Sequence, residues 1–210
     1  MTMINRYLIG NAQAIGRRAV QSSYFSTKFN EAGDLFAVLA DGTIDHPNGR
    51  RAAILAVEYC VQAFRRNLFY KQTSQIMLET ALQANRYVQN AVYTGKTPRL
   101  SLTMIFMAYL EAQYFNVGVN KIYIYNGQTE RVLGGDSDNS YSCGKCILPA
   151  KSVIGMISAG AHTVTHPMER LSIIESDKNI FDKAQAMVES VKVKNLDNQM
   201  NATALLIEVL

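Results

Sequence analysis

The sequence predicts an α+β protein arranged in four layers, α-β-β-α. Three observations lead there. Apolar runs of strand length come in clusters, two long helix-period segments follow one another directly, and one further helix stands before a final strand. That order is not the strict alternation that builds a parallel α/β sheet. Two amphipathic helices would cover one sheet and the later helical segments the other, with the whole chain, 1–210, forming one domain.

In chain order, DLFAVLAD (34–41) is a continuous apolar run of the length and composition of a buried strand. It runs into ADGTIDHPNG (40–49), a strand end that delivers the carboxylate of Asp41 to a polar loop before a helix. From Gly49, the residues Ile54, Val57, Val61, Phe64 and Leu68 recur at three- and four-residue spacing and mark one helix face. Met77, Ala81, Ala84, Val88 and Val92 mark a second, closed by TGKTP (94–98). LTMIFMAYL, QYFNVGV and KIYIYNGQTERVL then read as three or four antiparallel strands, with NGQ (126–128) as a hairpin turn. GGDSDNSYSCGKC (134–146) reads as a loop and VIGMISAG (153–160) as another buried strand. Ile180, Ala184, Met187, Val188 and Val191 share a helix face, and ALLIEVL ends the chain as a strand.

A chain of 210 residues, 48% of them hydrophobic, has room for one well-filled core. Its formal charge of +4 comes from 21 basic and 17 acidic residues scattered along the chain. Pairs such as Arg50-Arg51 are too weak a signal for nucleic acid. The N-terminus lacks a secretory pattern and no 18-residue apolar stretch occurs, so a soluble, cytoplasmic protein without membrane contact is expected. Cys60, Cys143 and Cys146 do not suggest a disulfide framework. CGKC has metal-clip spacing but lacks two further ligands, so an ordinary loop pair is the alternative. His162 and His166 stand four apart, as helical metal ligands do; Pro167 disturbs that geometry, and solvated loop residues are the other reading.

The motifs, taken in order, resemble the type 2C (PPM) metal-dependent protein serine/threonine phosphatases, whose fold is a β-sandwich flanked by helix pairs. The resemblance runs from IGNAQAIGRR to NATALLIEV. The family's opening motif is matched at Gly16, Arg18 and Gln21, with Ser22 and Ser23 standing for its acid and aspartate. Its Asp-Gly-x-Gly-Gly-His motif keeps Asp41, Gly42, His46 and Gly49 but has Thr43, Ile44 and Asp45 between. Thr103 is kept in the strand that follows; Gly118 stays in the next turn, where Val119 replaces an acid. Ser-Asp-Gly reads Ser158-Ala159-Gly160, and Asp-Asn-x-Thr reads Met200-Asn201-Ala202-Thr203.

The resemblance implies a centre of two Mg²⁺ or Mn²⁺ ions sharing one aspartate and activating a water, chemistry that needs anionic oxygen ligands. Of the implied metal positions, Ser23, Ala159 and Met200 have lost the acid. Asp41 remains as the bridging position, together with the Gly42 carbonyl. One carboxylate against four positive charges leaves at most residual Mg²⁺ or Mn²⁺ binding, and no cofactor is expected. Read without the family, Asp41 is a strand-terminal aspartate capping its turn. Arg18, with Arg17 beside it, matches the family's phosphate-holding arginine and could grip phosphate through paired hydrogen bonds; the alternative is a solvated surface pair. The leading expectation is a pseudophosphatase that binds a protein partner, a kinase or a phosphoprotein. The alternatives are an active protein serine/threonine phosphatase rebuilt around Asp34, Asp45, Asp136 or Asp138, and a structural assembly subunit.

Overall fold

The structure, a computed structural model, describes residues 6–42, 48–66, 73–92, 100–133 and 141–210. The expected TGKTP helix stop, Leu68, His46, Asp45, Asp136 and Asp138 lie outside them. The strands are β1 (Tyr7–Ala14), β2 (Ser23–Phe29), β3 (Leu35–Gly42), β4 (Leu100–Ala108), β5 (Glu111–Val117), β6 (Lys121–Asn126), β7 (Thr129–Leu133), β8 (Tyr141–Ile147), β9 (Val153–Ile157) and β10 (Ala202–Val209). They form two antiparallel sheets in the orders β1-β10-β9-β6-β7 and β2-β3-β4-β5-β8. The helices are α1 (Gly49–Arg65), α2 (Thr73–Val92), α3 (Ala159–His162), α4 (Pro167–Glu175) and α5 (Ile180–Lys192).

The two-residue period of a strand sorts its side chains between layers. In β3, Phe36, Val38 and Ala40 face α1 and α2, where Phe36 stacks on Phe64 at a centroid distance of 5.0 Å. Leu35, Ala37 and Leu39 face the other sheet and meet Ile122, Ile154, Met156, Leu205 and Ile207. A third apolar layer sets Ala204 and Leu206 of β10 against Ile180, Ala184, Met187 and Val191 of α5. The four layers are therefore α-β-β-α, as the pattern predicts. On α1 the buried face is richer in small residues than expected: Ala52, Ala53, Ala56 and Cys60 are fully buried, whereas Ile54 is half-exposed. Small side chains let the helix lie close to its sheet.

NGQ is the tight turn between β6 and β7: Asn126 pairs with Thr129, and Gly127 takes the positive φ of 55° that the first central residue of a II′ hairpin requires. One expected loop is in part a strand. The segment 134–146 is not loop throughout, because β8 pairs with β5 from Glu111↔Ile147 to Val117↔Tyr141. Cys143 and Cys146, three apart on a strand, point to opposite sheet faces, which excludes the metal clip and corrects the loop-pair reading as well.

Candidate functional site

Two residues past the last apolar member, the inter-sheet side of most strands turns polar. Continuing each period of two leads from Leu39 to Asp41, from Phe25 to Ser23, from Ile105 to Thr103, from Tyr114 to Asn116 and from Leu205 to Thr203. Asn120 and Ser158 follow the same rule just outside β6 and β9. Among the described residues, one end of the sandwich interior is thus lined with hydroxyls, amides and a single carboxylate, most of them buried.

The register of β2 on β3 sets Ser23 directly opposite Asp41. Ser22 Oγ donates to Asp41 Oδ1 at 2.8 Å, and the Ser22 oxygen in turn receives Asn201 Nδ2 at 3.4 Å. Asn201 also donates to the Val20 carbonyl at 2.7 Å and accepts the Gly16 N–H at 3.0 Å. Burial pushes the Asp41 carboxyl above the usual carboxylate range, against the pull of the Ser22 and Ser23 hydroxyls. Ser23 lies near enough to favour the charged form, yet its buried Oγ makes no hydrogen bond of ordinary geometry. Asp41 therefore turns its described hydrogen bond back toward β2; the turn ahead, where a cap would fall, lies outside the described residues. A Cβ at Gly42 would collide with the Gly49 carbonyl, so this glycine lets the α1 N-terminus approach the end of β3.

Ala159 and Met200 meet at the same end. Ser158 N–H donates to the Thr203 carbonyl at 3.0 Å, and Thr203 N–H to Ser158 Oγ at 2.9 Å. Met200 Cβ lies 2.9 Å from where a Cβ on Gly160 would stand. Ser23, Asp41, Ala159 and Met200 thus gather at one end of the sandwich, linked through Asn201 and Ser22. Gln13 spans the two sheets, donating to Thr203 Oγ1 at 3.0 Å and to the Ser23 carbonyl at 3.3 Å.

This donor set does not fit two hard dications. Asp41 supplies one carboxylate, Ser23 a neutral hydroxyl and Ala159 nothing, while the Met200 thioether is a soft ligand. Among the described residues no group of three or more His, Cys, Asp or Glu side chains is placed to hold a metal ion. Asp34 is no substitute: it precedes β3 at the far end of the strand from Asp41, about 20 Å away by strand rise. There it accepts from Asn30 Nδ2 and lies 3.7 Å from Arg6.

Arg17 and Arg18 are both exposed, on the loop between β1 and β2. They behave differently. Arg17 Nη2 donates to Asn195 Oδ1 at 2.6 Å, whereas Arg18 makes no hydrogen bond or ion pair among the described residues. Sequence reasoning missed Arg50 as a member of this region. In the first turn of α1, it donates through Nη1 to the Ser23 carbonyl, with its guanidinium 5.3 Å from the centre of the Tyr24 ring. The available signal was an arginine in the first turn of a helix, where the dipole opposes a cation. His162 and His166 do not form a metal pair; His166 is exposed in the loop before α4, whereas His162 is partly buried in α3. His162 Nε2 shares a hydrogen bond with the Val119 carbonyl at 2.8 Å, and burial lowers its pKa. His166 caps α4, its Nδ1 accepting from Met168 N–H at 3.2 Å, with Glu169 closing a capping box.

No protein-family model matches the sequence, and no curated protein matches it. Solved structures do match in shape. The serine/threonine phosphatase of S. agalactiae superposes with a TM-score of 0.78 at 17% identity, over 97% of this chain and 100% of that one. Serine/threonine phosphatase Stp1 from Staphylococcus aureus gives 0.81 at 14%, over 100% and 96%. The PPM Ser-Thr phosphatase MsPP from Mycobacterium smegmatis, in complex with cacodylate, gives 0.76 at 14%, over 97% and 98%. At such identities the likeness is one of architecture, and it agrees with the two sheets, the helix layers and the polar end described above: this chain has the fold of the PPM serine/threonine phosphatases.

Proposed function

We propose that this chain is a pseudophosphatase, a PPM-fold protein that binds phosphorylated protein without hydrolysing it. The observation that carries the reading is the donor set at Ser23, Asp41, Ala159 and Met200, which holds one carboxylate where a binuclear centre needs several. Where the donor set holds no metal ion, a phosphate dianion needs a fixed positive partner, and Arg18 is an exposed guanidinium that makes no hydrogen bond or ion pair among the described residues. The partner would be a phosphoprotein, or a kinase carrying its own phosphate, met in the cytoplasm. A purely structural subunit has one observation in its favour, the engagement of Arg17 with Asn195, which takes one of the two arginines out of phosphate binding.

The test pairs turnover with binding. Phosphate release from an aryl phosphate and a phosphoserine peptide, with Mn²⁺ or Mg²⁺ added, should equal that of an Asp41→Asn control. The same phosphopeptide should bind the wild type, and Arg18→Ala should weaken binding roughly ten- to a hundredfold, in line with about 1.5–3 kcal/mol for a charge-assisted hydrogen-bonded pair. Metal-dependent turnover that disappears in the control would restore the rebuilt phosphatase. Equal binding of phosphorylated and unphosphorylated peptide would leave the structural subunit.

A further inference from the structure

We infer that the end of the sandwich beside Asp41 carries a docking surface for a phosphorylated protein segment with apolar side chains flanking the phosphate; the inference rests on the phosphoprotein-binding reading above. Two loops build it, one between β1 and β2 and one between α5 and β10. They are laced together. Arg17 N–H donates to the Gln199 carbonyl at 2.8 Å, Arg17 Nη2 to Asn195 Oδ1 at 2.6 Å and Asn201 Nδ2 to the Val20 carbonyl at 2.7 Å. Asn195 holds the left-handed φ of 43° within this brace.

On these braced loops four apolar side chains stand in water: Ile15 is 53% exposed, Val20 60%, Val193 70% and Leu196 38%. Single exposed apolar residues are ordinary; here four belong to two loops tied to one another, the setting in which an apolar interaction site can be built. The brace lowers the ordering cost of binding, because the loops are already held to each other. Charge selects the occupant. Lys192 and Lys194, next to Val193, are paired with Glu189 and Glu169 at 2.7 Å each, and Arg17 is engaged with Asn195. Among the described residues of these loops Arg18 is left to take an anion. A guanidinium so placed among apolar side chains complements a single phosphate with apolar neighbours. An anionic membrane would instead be met by a cluster of about four to eight basic residues.

Fluorescence anisotropy of the full chain with three labelled peptides tests this: a phosphoserine between leucines, a phosphoserine between alanines, and an unphosphorylated serine between leucines. The leucine-flanked phosphopeptide should bind about tenfold tighter than the alanine-flanked one, the gain expected from burying apolar side chains. The unphosphorylated peptide should bind weakest. The Val20→Ser/Val193→Ser double variant, changed only at exposed positions, should lose the leucine preference and keep wild-type affinity for the alanine-flanked phosphopeptide. Arg18→Ala should weaken both phosphopeptides. Equal affinity for the two phosphopeptides, or a leucine preference that survives in the double variant, overturns the docking surface and leaves phosphopeptide binding standing. A leucine preference without a phosphate preference overturns the proposal, and failure to bind any peptide overturns it together with the phosphoprotein reading. Co-sedimentation with phosphatidylserine-containing vesicles without peptide binding overturns it in favour of a lipid surface.

Discussion

Arg170 and Asp41 are both ionisable residues largely withdrawn from water, one on α4 and the other at the polar end of β3, and they are provided for in opposite ways. Arg170, with only 3% of its surface exposed, gives Nε and Nη2 to the two carboxylate oxygens of Glu130 at 2.8 and 2.6 Å. Its Nη1 reaches the Thr165 carbonyl and hydroxyl, and its guanidinium lies 4.6 Å from the centre of the Tyr123 ring. Asp41 has no cation within ion-pair distance among the described residues. Serine hydroxyls are its neighbours, and the Ser23 hydroxyl beside it has no partner of its own. A buried charge with a full set of partners belongs to the fold; one whose neighbours among the described residues are neutral carries a desolvation cost that those neighbours only partly offset.

Breaking the satisfied side should have the largest effect. Arg170→Met leaves Glu130 buried without its partner, so stability in urea should fall by about 3–5 kcal/mol. A loss below about 1 kcal/mol would erase the contrast. Next, Ser23→Asp, Ala159→Asp and Met200→Asp together should create Mn²⁺ binding visible by calorimetry, with a Kd below about 1 mM, or roughly 4 kcal/mol where there was none. Each acid alone should do little. A folded triple variant that binds no metal would show that these positions do not converge as the family's ligands do.

A smaller effect is expected at Asp41 itself. Its pKa is raised in the folded state by burial, so folding favours the protonated form. The advantage is full below the ordinary aspartate pKa and is lost as pH rises through the higher folded value. Asp41→Asn, which keeps the acceptor for Ser22, should therefore be more stable than wild type at neutral pH by about 1 kcal/mol, and the gap should close as pH falls toward the ordinary aspartate pKa. Thermal melts of the two proteins across that range measure it. The smallest change should come from Ser23→Ala, which removes a buried hydroxyl that lacks a partner: stability should stay within about 0.5 kcal/mol of wild type or rise.

Much of the layer pattern was legible from the sequence. The alternation of Leu35, Ala37 and Leu39 with Phe36, Val38 and Ala40 belongs to a strand buried on both faces, and the spacings of 77–92 and 180–191 belong to α2 and α5. The strands that escaped notice, β1, β2 and β8, are all sheet edges. An edge strand is half-solvated and carries no continuous apolar run; Tyr141–Ile147 reads as serine, glycine and cysteine until β5 pairs with it. The remaining edge, β7, was found because Gly127 announces its hairpin.

At the site, the sequence by itself determined which residues stand where the family resemblance implies metal-binding aspartates, serine at 23, alanine at 159 and methionine at 200, because the identity of one residue needs no neighbour to be read. Only the tertiary structure decided how the remaining groups are used. Among the described residues it joined Arg17 to Asn195 and left Arg18 without a hydrogen bond or ion pair, turned Asp41 toward Ser22 and left the Ser23 hydroxyl without a partner. It also paired Arg170 with Glu130, forty residues away in the chain. Local patterns report the period of an element and the face it buries, whereas the partner of a polar group is chosen among segments far apart in sequence, and that choice exists only once the layers have packed.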